Sequence, residues 1–73
     1  MTKIDIATEQ WRIYTYPNGD TFKISQPMML WVIADERGTT HRVVDKEGVT
    51  HRPERGWVGI SWLPAPDAAP FVA

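Results

Sequence analysis

The chain has 73 residues and a mass of 8.4 kDa, is 42% hydrophobic and 23% charged, and contains no cysteine. A chain this short makes one domain and buries only roughly 60% of its unfolded surface, which excludes a multidomain enzyme; the lack of cysteine excludes a disulfide framework and a cysteine zinc site, and no apolar run approaches the roughly 20 residues of a membrane helix. Eight Lys and Arg against nine Asp and Glu leave a formal charge of −1, too balanced for electrostatically driven DNA binding and too weakly acidic to mimic a polyanion.

Residues 1–8 lack the charged start and apolar stretch of a secretory signal; they are read as an N-terminal arm, and the protein as cytoplasmic. From Glu9 the pattern alternates, with Trp11, Ile13 and Thr15 on one side and Arg12, Tyr14 and Tyr16 on the other. Pro17-Asn18-Gly19-Asp20 and a second alternating run, Thr21 to Ser25, complete a β-hairpin, and Asn-Gly points to a type I′ turn. Gln26-Pro27 interrupts the ladder, because proline lacks an N–H. Met28 to Ala34, apolar on both faces, then reads as the central strand. Turns at Asp35–Gly38 and Asp45–Gly48 separate two further strands, Thr39–Val44 and Val49–Arg52. Pro53–Gly56 turns the chain into a last strand, Trp57–Leu63, in which Gly59 marks a bulge or a bend. Residues 64–73 hold three of the six prolines and read as an extended tail.

These elements predict an all-β domain over residues 9–63: five or six antiparallel strands in a meander, forming a small partly closed barrel or a sandwich. Its expected core is Trp11, Phe22, Ile24, Leu30, Val32, Ile60 and Trp62. Tyr14, Tyr16 and Trp57, with Met29 or Trp31, are left for the opposite face.

Gly38-Thr39-Thr40-His41-Arg42 and Gly48-Val49-Thr50-His51-Arg52 match at four of five positions, a likeness that two adjacent strands leaving glycine turns would produce without any repeat architecture. If Gly48 is the left-handed residue of a three-residue loop, Asp45 faces Val49, Val43 faces His51 and Arg42 faces Arg52, with both histidines on one face. A metal there would lack a third ligand at any known spacing, so no metal and no cofactor is expected. Arg42 opposite Arg52 is mildly destabilising unless an anion lies between them. The alternatives are guanidinium groups paired with Asp35, Glu36, Asp45 or Glu47, or an anion site serving a nucleic-acid-binding barrel. No glycine-flanked serine, cysteine nucleophile or phosphate loop is present, and the chain is read as non-enzymatic.

Two surfaces could bind a protein partner. One is aromatic, carrying Tyr14, Tyr16 and Trp57, residue types enriched at interfaces. The other is the end where loops 17–20, 35–38 and 53–56 would emerge together, collecting Asp20, Asp35, Glu36 and Glu54 against Arg37 and Arg55, an acidic end suited to a basic groove.

Tyr16-Pro17-Asn18-Gly19-Asp20, the two Gly-x-Thr-His-Arg segments and Gly56-Trp57-Val58-Gly59-Ile60-Ser61-Trp62, in so short a cysteine-free β chain, resemble small accessory proteins encoded by phages and prophages. The resemblance spans roughly residues 9–63. It implies a host-cell inhibitor of the anti-CRISPR type that binds a larger bacterial nucleoprotein complex, without direct nucleic-acid or membrane binding, or else a self-associating phage structural or assembly protein. No functional residue carries over from it.

Overall fold

A computed structural model describes residues 1–64; the tail beyond Pro64 lies outside the described residues. They are all-β, with strands β1 (Thr2–Asp5), β2 (Glu9–Thr15), β3 (Thr21–Ser25), β4 (Pro27–Asp35), β5 (Gly38–Asp45), β6 (Thr50–His51) and β7 (Gly59–Pro64). Two antiparallel sheets, ordered β1-β4-β5-β6 and β3-β2-β7, pack face to face. No helix among them is long and apolar enough to cross a membrane.

Strands β2 to β7 overlap the runs that alternation and turn residues mark, although β7 opens at Gly59 rather than Trp57 and takes in Pro64, opposite Glu9, from the segment read as tail; the meander does not hold. After β3 the chain leaves its sheet, and β7 returns to pair with β2, so the result is a two-sheet sandwich rather than a closed barrel. The corner is Gln26, which takes a left-handed φ of 50°. Its N–H donates to the Gln10 carbonyl of one sheet, and its own carbonyl accepts from Lys46 N–H beside the other. Pro27 then opens β4 and is fully buried, its missing N–H costing no ladder bond at a first position.

The first hairpin differs in its turn. Gly19 N–H donates to the Tyr16 carbonyl and Tyr16 N–H to the Asp20 carbonyl, while Gly19 has φ 90° and Asn18 no positive φ. This is a three-residue loop ending in a left-handed glycine. A two-residue type I′ turn on Asn18-Gly19 would require Pro17 to donate an N–H it lacks. Gly48 closes the same loop at 45–49, with Asp45 N–H bonded to the Val49 carbonyl and Val43 opposite His51, the register read from the sequence.

Residues 1–8 are more than an arm. Thr2–Asp5 pairs along β4, and Ile6 is buried in the core with Tyr14, Ile24, Leu30 and Val43. The alternation Lys3-Ile4-Asp5-Ile6 carried that signal.

The largest correction concerns β2, whose faces are inverted relative to the sequence reading. Arg12 and Tyr14 point between the sheets, opposite inward Ile24 and Phe22 on β3, while Trp11 lies half-buried outside. Tyr14 is 0% exposed; Trp62, expected in the core, does stand opposite Arg12 on the inward face, but on the edge strand β7 it is 43% exposed. Because side chains alternate with period two, a one-residue difference in phase moves the whole set.

Candidate functional site

Between the sheets runs a polar chain that sequence reasoning missed. The register shifts between Glu9 and Trp11, and this bulge brings Glu9 to the same face as Arg12, where residues three apart on a regular strand would point oppositely. Arg12 Nε and Nη2 donate to the two Glu9 carboxylate oxygens at 3.0 and 3.1 Å. Both residues are buried, at 7% and 9% exposure. Arg12 Nη1 donates to the Tyr14 hydroxyl at 3.3 Å, and that hydroxyl lies 2.7 Å from His41 Nδ1. The arrangement satisfying all three groups has the hydroxyl accepting from Arg12 and donating to Nδ1, which leaves the His41 proton on Nε2. Trp57 closes this cluster, its ring 5.2 Å from Tyr14 and 4.9 Å from His41.

Burial raises the Tyr14 pKa, and burial followed by the Arg12 charge lowers that of His41. Burial opposes the Arg12 charge, but its bonds to Glu9 and Tyr14 outweigh this and raise its pKa. At neutral pH a neutral phenol therefore meets a neutral imidazole beside a paired guanidinium. The network fastens the two sheets together, and a fully buried Tyr14 is out of reach of any partner or substrate, which corrects its placement on an exposed aromatic face.

His51 also faces inward, with Phe22 at 6.1 Å, and its Nε2 lies 2.7 Å from Asp45 Oδ2. That bond, with backbone N–H groups of Val49 and Glu47, holds the Asp45 carboxyl below its ordinary range against the opposing effect of burial. The two histidines thus share a face but have separate partners. Among the described residues no group of three His, Asp or Glu side chains is placed to hold a metal.

The surface candidates gather at one end. Arg55 Nη2 bonds Asp35 Oδ2 at 2.8 Å, tying segment 53–56 to loop 35–38. The Tyr16 hydroxyl donates to the Glu54 carbonyl at 2.8 Å, tying the same segment to the strand that enters loop 17–20. A groove of 710 Å³ opens between loop 17–20 and residues 52–56, lined also by Tyr16 and Phe22. Asp20 lines this groove and accepts from the Asn18 amide. The Arg55 bond, then the Arg37 N–H, lower the Asp35 pKa. Glu36 and Glu54 are exposed and make no ion pair among the described residues. Trp57 and Tyr16 are half-buried against the core, so the exposed aromatic face read from the sequence reduces to the rim of this groove.

Arg42 lies away from this end, on the outer face of the β1-β4-β5-β6 sheet, where it lines a smaller concavity with Trp31 and with Arg52, which also borders the groove. Comparison with protein families, curated proteins and solved structures finds no match.

Proposed function

We propose that the protein is a small non-enzymatic binding module that occupies a surface of a larger protein complex in the host cytoplasm. The observation that carries this reading is the bonding of sequence-distant loops into one preformed end, through Arg55–Asp35 and Tyr16–Glu54, around an open groove. A preformed surface loses less conformational entropy on binding than free loops do. The groove offers apolar walls at Tyr16 and Phe22, carboxylates at Asp20 and Glu54 and guanidinium groups at Arg52 and Arg55, with Asp35 and Glu36 on the loop that Arg55 ties to it, and we take the carboxylates to face a partner with a basic rim.

The most specific form of this reading is an anti-CRISPR-type inhibitor of an RNA-guided nuclease. Titration of purified effector complexes in a cleavage assay tests it. A binding inhibitor acts stoichiometrically, with inhibition complete near one chain per complex, whereas inhibition at far lower ratios would show turnover and refute a non-enzymatic role. Glu36→Lys with Glu54→Lys breaks no ion pair among the described residues and should slow association, as should raised salt. A complex whose formation survives both unchanged would move the interface away from this end.

A further inference from the structure

The two Gly-x-Thr-His-Arg segments acquire a common role from the register. Gly38 and Gly48 both have positive φ, 110° and 86°, and each leads into a strand of one antiparallel pair. The histidines therefore turn inward, and the arginines turn out onto the opposite face of the sheet. There Arg42 stands opposite Trp31, and Trp31 opposite Lys3. The Lys3 ammonium sits 5.4 Å from the centre of the Trp31 ring, and Arg52 completes the row by lining the same concavity as Trp31 and Arg42.

Three cations thus share one face around one indole. Of the carboxylates read as partners for the arginines, Asp35 pairs with Arg55 and Asp45 with His51, while Glu36 and Glu47 make no ion pair among the described residues; Asp5 stands on the same outer face as Lys3, opposite Met29, and accepts from the Ala7 N–H. Among the described residues none of Lys3, Arg42 and Arg52 makes an ion pair. Around Trp31 the outer face therefore carries Lys3, Arg42 and Arg52, with Asp5 two residues along β1 from Lys3. Like charges placed side by side on a sheet disfavour folding unless an anion joins them, and an aromatic ring on a flat sheet face among cations is a stacking platform for bases.

We infer that the outer face of this sheet binds single-stranded nucleic acid, phosphates bridging Lys3, Arg42 and Arg52 while a base stacks on Trp31. A duplex keeps its bases stacked inside and cannot offer one to the ring, which selects the single strand. The site is independent of the loop-end reading and stands or falls without it.

The test is fluorescence anisotropy of a labelled oligo-dT of twelve nucleotides against the purified full chain, from 20 to 200 mM salt. Three phosphate contacts on a single strand give a log–log salt slope of about −2. Arg42→Gln with Arg52→Gln should reduce that slope by about 1.4. Trp31→Leu, which keeps apolar bulk on the sheet, should weaken binding roughly ten-fold with the slope unchanged, and circular dichroism establishes that each variant is folded. No binding at 20 mM salt, a slope unaltered by the arginine pair, or equal affinity for a duplex would overturn the inference. Equal affinity for polyglutamate would also overturn it, in favour of an acidic protein surface.

Discussion

Tyr14→Phe removes one atom from the interior and alters no packing, so it isolates what the buried hydroxyl does. Without it, Arg12 Nη1 loses an acceptor at 3.3 Å and His41 Nδ1 loses a donor at 2.7 Å, the first buried between the sheets and the second half-buried beside Trp57. A hydrogen bond to a charged group contributes about 1.5–3 kcal/mol and a neutral one about 1. The long Arg12 bond belongs at the low end of that range, so the expected loss is about 2 kcal/mol. With a urea m-value near 1 kcal/mol/M for a chain of this size, the midpoint should fall by about 2 M, and the melting temperature by roughly 8–16 °C. Tyr16→Phe is the control: its hydroxyl meets an exposed carbonyl, and its loss should cost less than about 1 kcal/mol. Adding His41→Phe to Tyr14→Phe removes the stranded acceptor, so the pair should cost less than the sum of the single losses. A Tyr14→Phe midpoint within about 0.5 M of the parent would refute the network as a fastening between the sheets.

Glu9→Ala leaves a guanidinium buried and half-paired and should cost about 3 kcal/mol, part of which Arg12→Met in the same chain should restore; additive losses in urea titrations would contradict the pairing. Because burial lowers the His41 pKa, the unfolded chain binds a proton that the folded chain refuses. Stability is complete above about pH 6.5 and declines as pH falls through that value towards the folded pKa. His41→Asn, whose amide oxygen can accept from Tyr14, should flatten this decline between pH 7.5 and 5.5, and an unchanged profile would count against it. Gln26 holds a left-handed φ that costs about 1–2 kcal/mol. Gln26→Gly should therefore match or raise the parent's stability, and Gln26→Val should lower it, as read by thermal melts.

The strands were legible because turn chemistry is local. Gly19, Gly38, Gly48 and Gly56 all take the positive φ that punctuates β runs, and the 45–49 loop alone was enough to set Val43 against His51. What the sequence concealed depended on contacts between elements. Trp11 and Ile13 are more apolar than Arg12 and Tyr14, so a hydrophobicity argument places them inside. The molecule chooses the other face because the Glu9 bulge and the Tyr14 and His41 hydrogen bonds satisfy every buried polar group there. The path from β3 to β4 was likewise hidden, since a non-glycine corner at Gln26 has no composition signal. The loop end could be read because charged turn residues stay on the surface in any topology, although the Arg55–Asp35 bond that ties two of the loops could not.

The two proposed binding surfaces meet at one residue, and this makes them separable by experiment. Arg52 lines the loop-end groove and also the concavity beside Trp31, because the chain leaves the short β6 there and turns into segment 53–56. Arg42 lines only the concavity, whereas Glu36 and Glu54 belong to the loop end. If the loop end docks a protein while the outer sheet face takes a strand, Arg42→Gln should weaken only oligonucleotide binding and Glu36→Lys only protein binding. Arg52→Gln should disturb both. Such a pattern would fit a partner that is itself a nucleoprotein complex, with one small domain touching its protein and its nucleic acid through adjoining surfaces. Should Arg42→Gln weaken both interactions equally, the two surfaces form a single interface, and the division drawn at Arg52 is wrong.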